Sequence, residues 1–156
     1  MKQYAKTYYG ENYRFDPSFD AMLKKLRADN PGIKLIGFTT PISQELFELL
    51  IERGLFHNYA RWLRLLTDNL DEAYDFMGIN SVTRNPRNYL DAHHFSPLVG
   101  KYVAQRIEGA VGEAPSDFGV RLDASSLNQH LCLVGRMGRG TVRANANNTG
   151  TEKCLD

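Results

Sequence analysis

No stretch of this 156-residue chain approaches the ~18 consecutive apolar residues that cross a bilayer, so no membrane segment is expected. No excess of one charge sign exists either. Lys and Arg number 19 against 18 Asp and Glu, a formal net charge of +1, and nucleic acid is not an expected partner. Cysteine is scarce. Cys132 and Cys154 both lie late, and neither belongs to a C-x-x-C pair with further ligands nearby, so no zinc site is expected. One candidate pair permits a disulfide but assigns no redox compartment. The opening Met1-Lys2-Gln3-Tyr4-Ala5-Lys6 runs into Tyr8, Tyr9, Glu11 and Asn12 rather than an apolar core, so no signal peptide is read here. Localisation stays undetermined; an upstream segment would open the cell envelope or the periplasm. No internal repeat is visible.

The patterning that is present points to one α/β domain. Asp16-Pro17-Ser18 reads as a helix start, with Asp16 as N-cap and Pro17 at the first helical position. Phe19, Met22, Leu23 and Leu26 follow at helical spacing until Asn30-Pro31-Gly32. Ile33 to Thr40 is short, mostly apolar and bounded by Gly32 and Pro41, which predicts a buried strand in a parallel sheet. Helices are predicted over Ser43–Arg53, stopped by Gly54, and over His57–Asn69. Ala73–Met77 predicts a second strand, and 78–90 a loop. Ser96 and Pro97 open another helix with Val99, Tyr102, Val103 and Ile107 inward. Phe118–Leu122 is a short extended piece, Asp123–Val134 one more helix, and residues 135–156 a disordered tail. Two strands are few for a parallel sheet covered on both faces. Part of the sheet is therefore expected to come from outside this chain, and residues 1–134 to form the C-terminal portion of a domain.

Asp91-Ala92-His93-His94, in a loop just ahead of a helix, is the sharpest chemical signal. Loops after the strands of α/β sheets are where ligands bind. A His there can act as general base for a hydroxyl, and an Asp three positions earlier can fix its tautomer. The competing reading is an Asp that shapes a turn beside two exposed His residues. A metal on Asp91, His93 and His94 would want another ligand, and neither His57 nor His130 has a spacing that requires convergence. Ser43 at the strand end and Ser81 ahead of Asp91 are the local serines to weigh as nucleophiles; neither sits in a nucleophile-elbow pattern. Ser96 is better explained as a cap. Tyr59 and Trp62, with Phe56, invite sugar stacking but at helical spacing read as core. Arg84 and Arg87 could meet an anionic substrate or simply be solvated. Asn147-Asn148-Thr149 is a sequon without a secretion signal.

The stretch Tyr89-Leu90-Asp91-Ala92-His93-His94-Phe95-Ser96-Pro97-Leu98-Val99-Gly100, continuing to Arg106-Ile107, resembles the last block of SGNH (GDSL-like) hydrolases, in a bacterial subgroup. Gly32 to Pro41 looks like the strand before it, and Asp75 to Ser81 like the strand and loop just ahead of it. Phe118-Gly119-Val120 to His130 is similar to the subgroup's C-terminal extension. The resemblance spans about residues 4 to 131, with its specific part in 74–107. It implies a three-layer α/β fold of the SGNH/flavodoxin-like kind with a mainly parallel sheet, incomplete at the N-terminal side. It also implies an ester hydrolase or O-acyltransferase acting on acylated saccharides or lipids, without a cofactor or metal. His94 would be the general base and Asp91 its orienting carboxylate; His93 receives no role.

The family's Gly-Asp-Ser nucleophile block is absent from the sequence, and its oxyanion-hole Gly and Asn cannot be placed. Gly78-Ile79-Asn80-Ser81 lies too close to Asp91 to be that block. The chain alone is therefore expected to be inactive or nearly so, a His/Asp half that is either a fragment of a longer protein or works with a separate N-terminal partner. An exposed sheet edge would also favour self-association. The alternative is a non-catalytic binding module that kept the fold and lost the chemistry.

Overall fold

A computed structural model describes residues 2–7, 9–10 and 13–146. The elements are α1 (Lys2–Thr7), α2 (Phe19–Asp29), β1 (Ile36–Phe38), α3 (Gln44–Glu52), α4 (Phe56–Asn69), β2 (Glu72–Asp75), α5 (Pro97–Glu108), β3 (Val120–Leu122) and α6 (Leu127–Ala146), with a 3-10 turn at Pro86–Asn88. The strands form one sheet in the order β1-β2-β3. β1 runs parallel to β2, pairing Ile36 with Glu72 and Phe38 with Tyr74. β3 is antiparallel to β2, with Ala73 opposite Leu122 and Asp75 opposite Val120. The described sheet is thus mixed rather than mainly parallel, because the extended piece after α5 turns back onto β2.

Alternation along β2 divides the interior. Ala73 and Met77 face a core built with Leu46, Phe47, Leu63, Leu66, Leu131 and Val134 from α3, α4 and α6. Tyr74 and Phe76 face the opposite core, with Val99 and Val103 of α5 and Phe118. Period-2 alternation with apolar side chains on both faces is what a strand between two helical layers requires. β1, by contrast, lies at the sheet's edge, and Ile36 and Phe38 remain 37% and 42% exposed.

The helix boundaries follow local chemistry. Asp16 does not cap α2 directly; its carboxylate accepts from the Ser18 backbone N–H at 2.9 Å and hydroxyl at 2.7 Å, forming a turn, and the helix begins at Phe19. Ser43 caps α3 by accepting from Leu46 N–H at 3.3 Å. Gly54, at φ 71°, ends that helix, with Leu55 N–H donating to Leu50 C=O at 3.0 Å and Gly54 N–H to Ile51 C=O at 2.9 Å. Ser96 precedes Pro97 in extended conformation at the start of α5, with no side-chain cap bond.

α6 departs from the sequence expectation. It passes Val134, where the helix was expected to give way to a disordered tail, and continues to Ala146. Two of the glycines in this stretch lie where helices approach closely. A Cβ on Gly138 would stand 1.9 Å from Ile51 Cδ1 of α3, and one on Gly135 3.0 Å from the Phe56 ring. Residues 147–156, with the rest of the expected tail, the sequon and Cys154, lie outside the described residues. Among the described residues no helix is long and apolar enough to cross a membrane.

Candidate active site

The loop after the 3-10 turn folds back on itself. Tyr89 and Phe95 form an antiparallel bridge, Leu90 N–H donates to His94 C=O at 2.8 Å, and Ser96 N–H to Asn88 C=O at 2.8 Å. This closure gives residues 91–94 a tight turn. Within it the Asp91 carboxylate is the organising acceptor. Its Oδ1 takes the backbone N–H groups of His93 and His94, each at 2.8 Å, and the Tyr4 hydroxyl at 3.3 Å. Its Oδ2 meets His94 Nδ1 at 2.8 Å. The His94 side-chain bond, and then the two backbone N–H groups, hold the Asp91 carboxyl well below the usual carboxylate range.

An ionised carboxylate can only accept, so the bond at Nδ1 places a proton there and leaves the Nε2 lone pair exposed in the neutral ring. No described residue bonds Nε2. The His94 side chain is 67% exposed and Asp91 49%, so a partner can reach the imidazole from solvent. His93 stands apart from the pair, its ring edge-on to His94 at 5.5 Å and tilted against Tyr4 at 6.4 Å. Among the described residues no group of three His, Cys, Asp or Glu side chains is placed to hold a metal ion.

Hydrogen bonds tie this loop and the segment ahead of it to the connection leaving β1. Ser43 N–H donates to Ala92 C=O at 3.0 Å, Gln44 N–H to Thr83 C=O at 2.9 Å, and the Tyr89 hydroxyl to Ile42 C=O at 2.9 Å. The Asp91–His94 pair therefore sits beside the segment following a parallel strand, on the side where α/β sheets bind ligands.

Neither local serine is presented to His94. Ser43 is 9% exposed and occupied as the α3 cap. Ser81 donates to Asp117 Oδ1 at 2.6 Å while its N–H donates to Oδ2 at 2.8 Å. Asn80 is a loop organiser: its Oδ1 accepts from Val82 and Thr83 N–H at 3.0 Å, and its Nδ2 donates to Gly78 C=O at 2.8 Å. Asn80 is 8% exposed, and its amide holds the loop together. Arg84 and Arg87 are both exposed.

A second His–Asp pair was not anticipated from the sequence. Asp75 at the end of β2 accepts from His130 Nε2 at 2.7 Å and from Tyr59 on one oxygen, and from Thr39 at 2.7 Å and Met77 N–H at 3.1 Å on the other. The side chains of Asp75 and His130 are 1% and 10% exposed. Burial alone would raise the Asp75 carboxyl, but the bonds from His130, Tyr59 and Thr39 outweigh it and hold the group below its usual value. Burial, and then Asp75, push the Tyr59 hydroxyl well above its own. Every acceptor position is used, so this cluster joins β1, β2, α4 and α6 rather than presenting a base. Its one sequence signal is an Asp inside an otherwise apolar strand.

A cavity of about 420 Å³ is lined by neither Asp91 nor His94. It opens instead between residues 13–16, α2 and α4. No family model, no curated protein and no solved structure matches the chain.

Proposed function

We propose that this chain supplies the His/Asp half of an SGNH-type serine ester hydrolase or O-acyltransferase site, within a three-layer α/β domain completed by a segment outside the described residues. The single observation that carries the proposal is the His94 Nδ1 to Asp91 Oδ2 bond of 2.8 Å in a loop that leaves Nε2 open. Nε2 would take the proton of an incoming serine hydroxyl as that oxygen attacks an acyl ester carbon. The same proton would pass to the departing alkoxide, leaving an acyl-enzyme. Water or a sugar hydroxyl would then attack the acyl carbon, giving up its proton to Nε2, and that proton would pass to the serine oxygen as its bond to the acyl group breaks. Acylated saccharides or lipids are the proposed substrates, and no cofactor enters the scheme.

The open edge of β1, with Ile36 and Phe38 part exposed, supports the need for a further strand, supplied by an N-terminal partner or by self-association. The test is p-nitrophenyl acetate hydrolysis by the chain mixed with a segment carrying a strand and Gly-Asp-Ser. Activity that appears on mixing and disappears with His94→Ala supports the reading; equal rates with and without His94→Ala remove His94 as the base.

One observation favours a second reading, a binding module without catalysis: both local serines are occupied, Ser43 by a cap and Ser81 by Asp117. On that reading no complementing segment produces hydrolysis, and ligand binding survives His94→Ala.

A further inference from the structure

The cavity away from the Asp91–His94 pair has a composition that selects a ligand. Six of its lining side chains are aromatic: Tyr9, Tyr13, Phe15, Phe19, Tyr59 and Trp62. Its volume of about 420 Å³ falls within the ~300–1,000 Å³ typical of small-molecule sites. Burial raises the Tyr9 and Tyr13 hydroxyls above their ordinary values, so the phenols are neutral. The Tyr59 hydroxyl is committed to Asp75, which leaves its ring, not its oxygen, to the cavity.

Charge argues against an ionic guest. The lining carries one charge of each sign, Arg14 and Asp16, and so no excess of either. The Arg61 guanidinium already lies 4.3 Å from the centre of the Phe15 ring, spending that face on a cation and repelling a second one. Aromatic walls prefer offset or edge-to-face contact with another ring. Among these walls sits one neutral amide, Asn58, half-buried on α4 and without a side-chain hydrogen bond among the described residues. An amide so placed can both donate and accept.

We propose that this cavity binds an uncharged, planar ring compound carrying a hydrogen-bonding group, with the ring between the aromatic walls and the polar group on Asn58. The site is independent of the serine-ester reading, since none of its lining residues belongs to the Asp91–His94 pair.

Trp62 lines the cavity and is the only tryptophan in the sequence, so its indole N–H cross-peak in a ¹H–¹⁵N spectrum reports on the site without assignment. Titration with 2-naphthol is expected to move that peak saturably. Asn58→Ala should weaken binding by about tenfold, the loss of one hydrogen bond, and Asn58→Phe should abolish it by filling the space. Both variants should keep the dispersion of the remaining peaks, as position 58 is not part of the buried core. The proposal is overturned if 2-naphthol causes no saturable shift, as when the chain itself fills the cavity. Equal or tighter binding of 1-octanol or tetramethylammonium overturns the ligand class, and unchanged affinity in the Asn58 variants overturns the location.

Discussion

His94 and Asp91 are three residues apart, and the turn that joins them is made by the same carboxylate that orients the ring, through two backbone N–H groups at 2.8 Å. Asp91→Asn keeps an acceptor but presents an amide where Nδ1–H must donate, favouring the wrong tautomer. In the complemented protein it should lower p-nitrophenyl acetate hydrolysis by about 10³–10⁴-fold. Ser43→Ala separates a cap from a nucleophile: stability should fall by about 1 kcal/mol in urea denaturation while complemented hydrolysis stays unchanged. The pair was legible because it is local; a D-x-x-H string brings its own geometry. The Asp75 cluster was not, since His130 lies 55 positions from Asp75 and only the packing of α6 unites them. Asp75→Ala would leave the buried His130 and Tyr59 groups unmatched and should cost about 3–5 kcal/mol. The folded Asp75 carboxyl titrates below its ordinary value. Its contribution is therefore complete above the unfolded value, about 3.9, and is lost as pH falls through the lower folded one. The acid-side slope of the urea midpoint should accordingly be smaller in Asp75→Asn than in the wild type.

At the scale of elements, boundaries set by capping chemistry were readable and those set by tertiary contact were not. Ser43 and Gly54 bracket α3 as their residue types suggest. The length of α6 is not legible locally, because Gly135, Gly138 and Gly140 weaken a helix taken in isolation, whereas two of them face α3 and α4 at close range. Ile33 was read into β1 but lies in a turn, 58% exposed, with its N–H donating to Asn30 C=O at 3.3 Å. If close approach is why Gly138 stands where it does, Gly138→Val must displace Ile51 or push α6 off α3. The melting temperature should drop by an amount corresponding to about 1–3 kcal/mol, while Gly140→Ala, which meets nothing within 4 Å, should be neutral or mildly stabilising.

Across the whole molecule, both faces of β2 are covered, yet β1 ends the sheet with Ile36 and Phe38 part exposed, and Met22, Leu26 and Ile33 add 56%, 44% and 58% exposed apolar side chains. An edge strand with part-exposed apolar side chains of its own invites pairing with another chain. Sedimentation should show self-association that Ile36→Lys reduces; a compact, stable monomer at high concentration contradicts this. The scarcity of strands was visible in the sequence as an imbalance between helical and extended segments. The antiparallel return of β3 was not, because Val120–Leu122 is too short to declare its direction.

The claim on which the functional proposal turns is that Asp91 holds His94 with its proton on Nδ1 and its Nε2 lone pair open. Long-range ¹H–¹⁵N correlation on the histidine rings, recorded well above the ordinary imidazole value of about 6.5, reads this directly. The account predicts the Nδ1–H tautomer for His94 and a shift toward the mixed pattern of a free imidazole in Asp91→Ala. A neutral His94 carrying its proton on Nε2, or a pattern indifferent to Asp91, would contradict it.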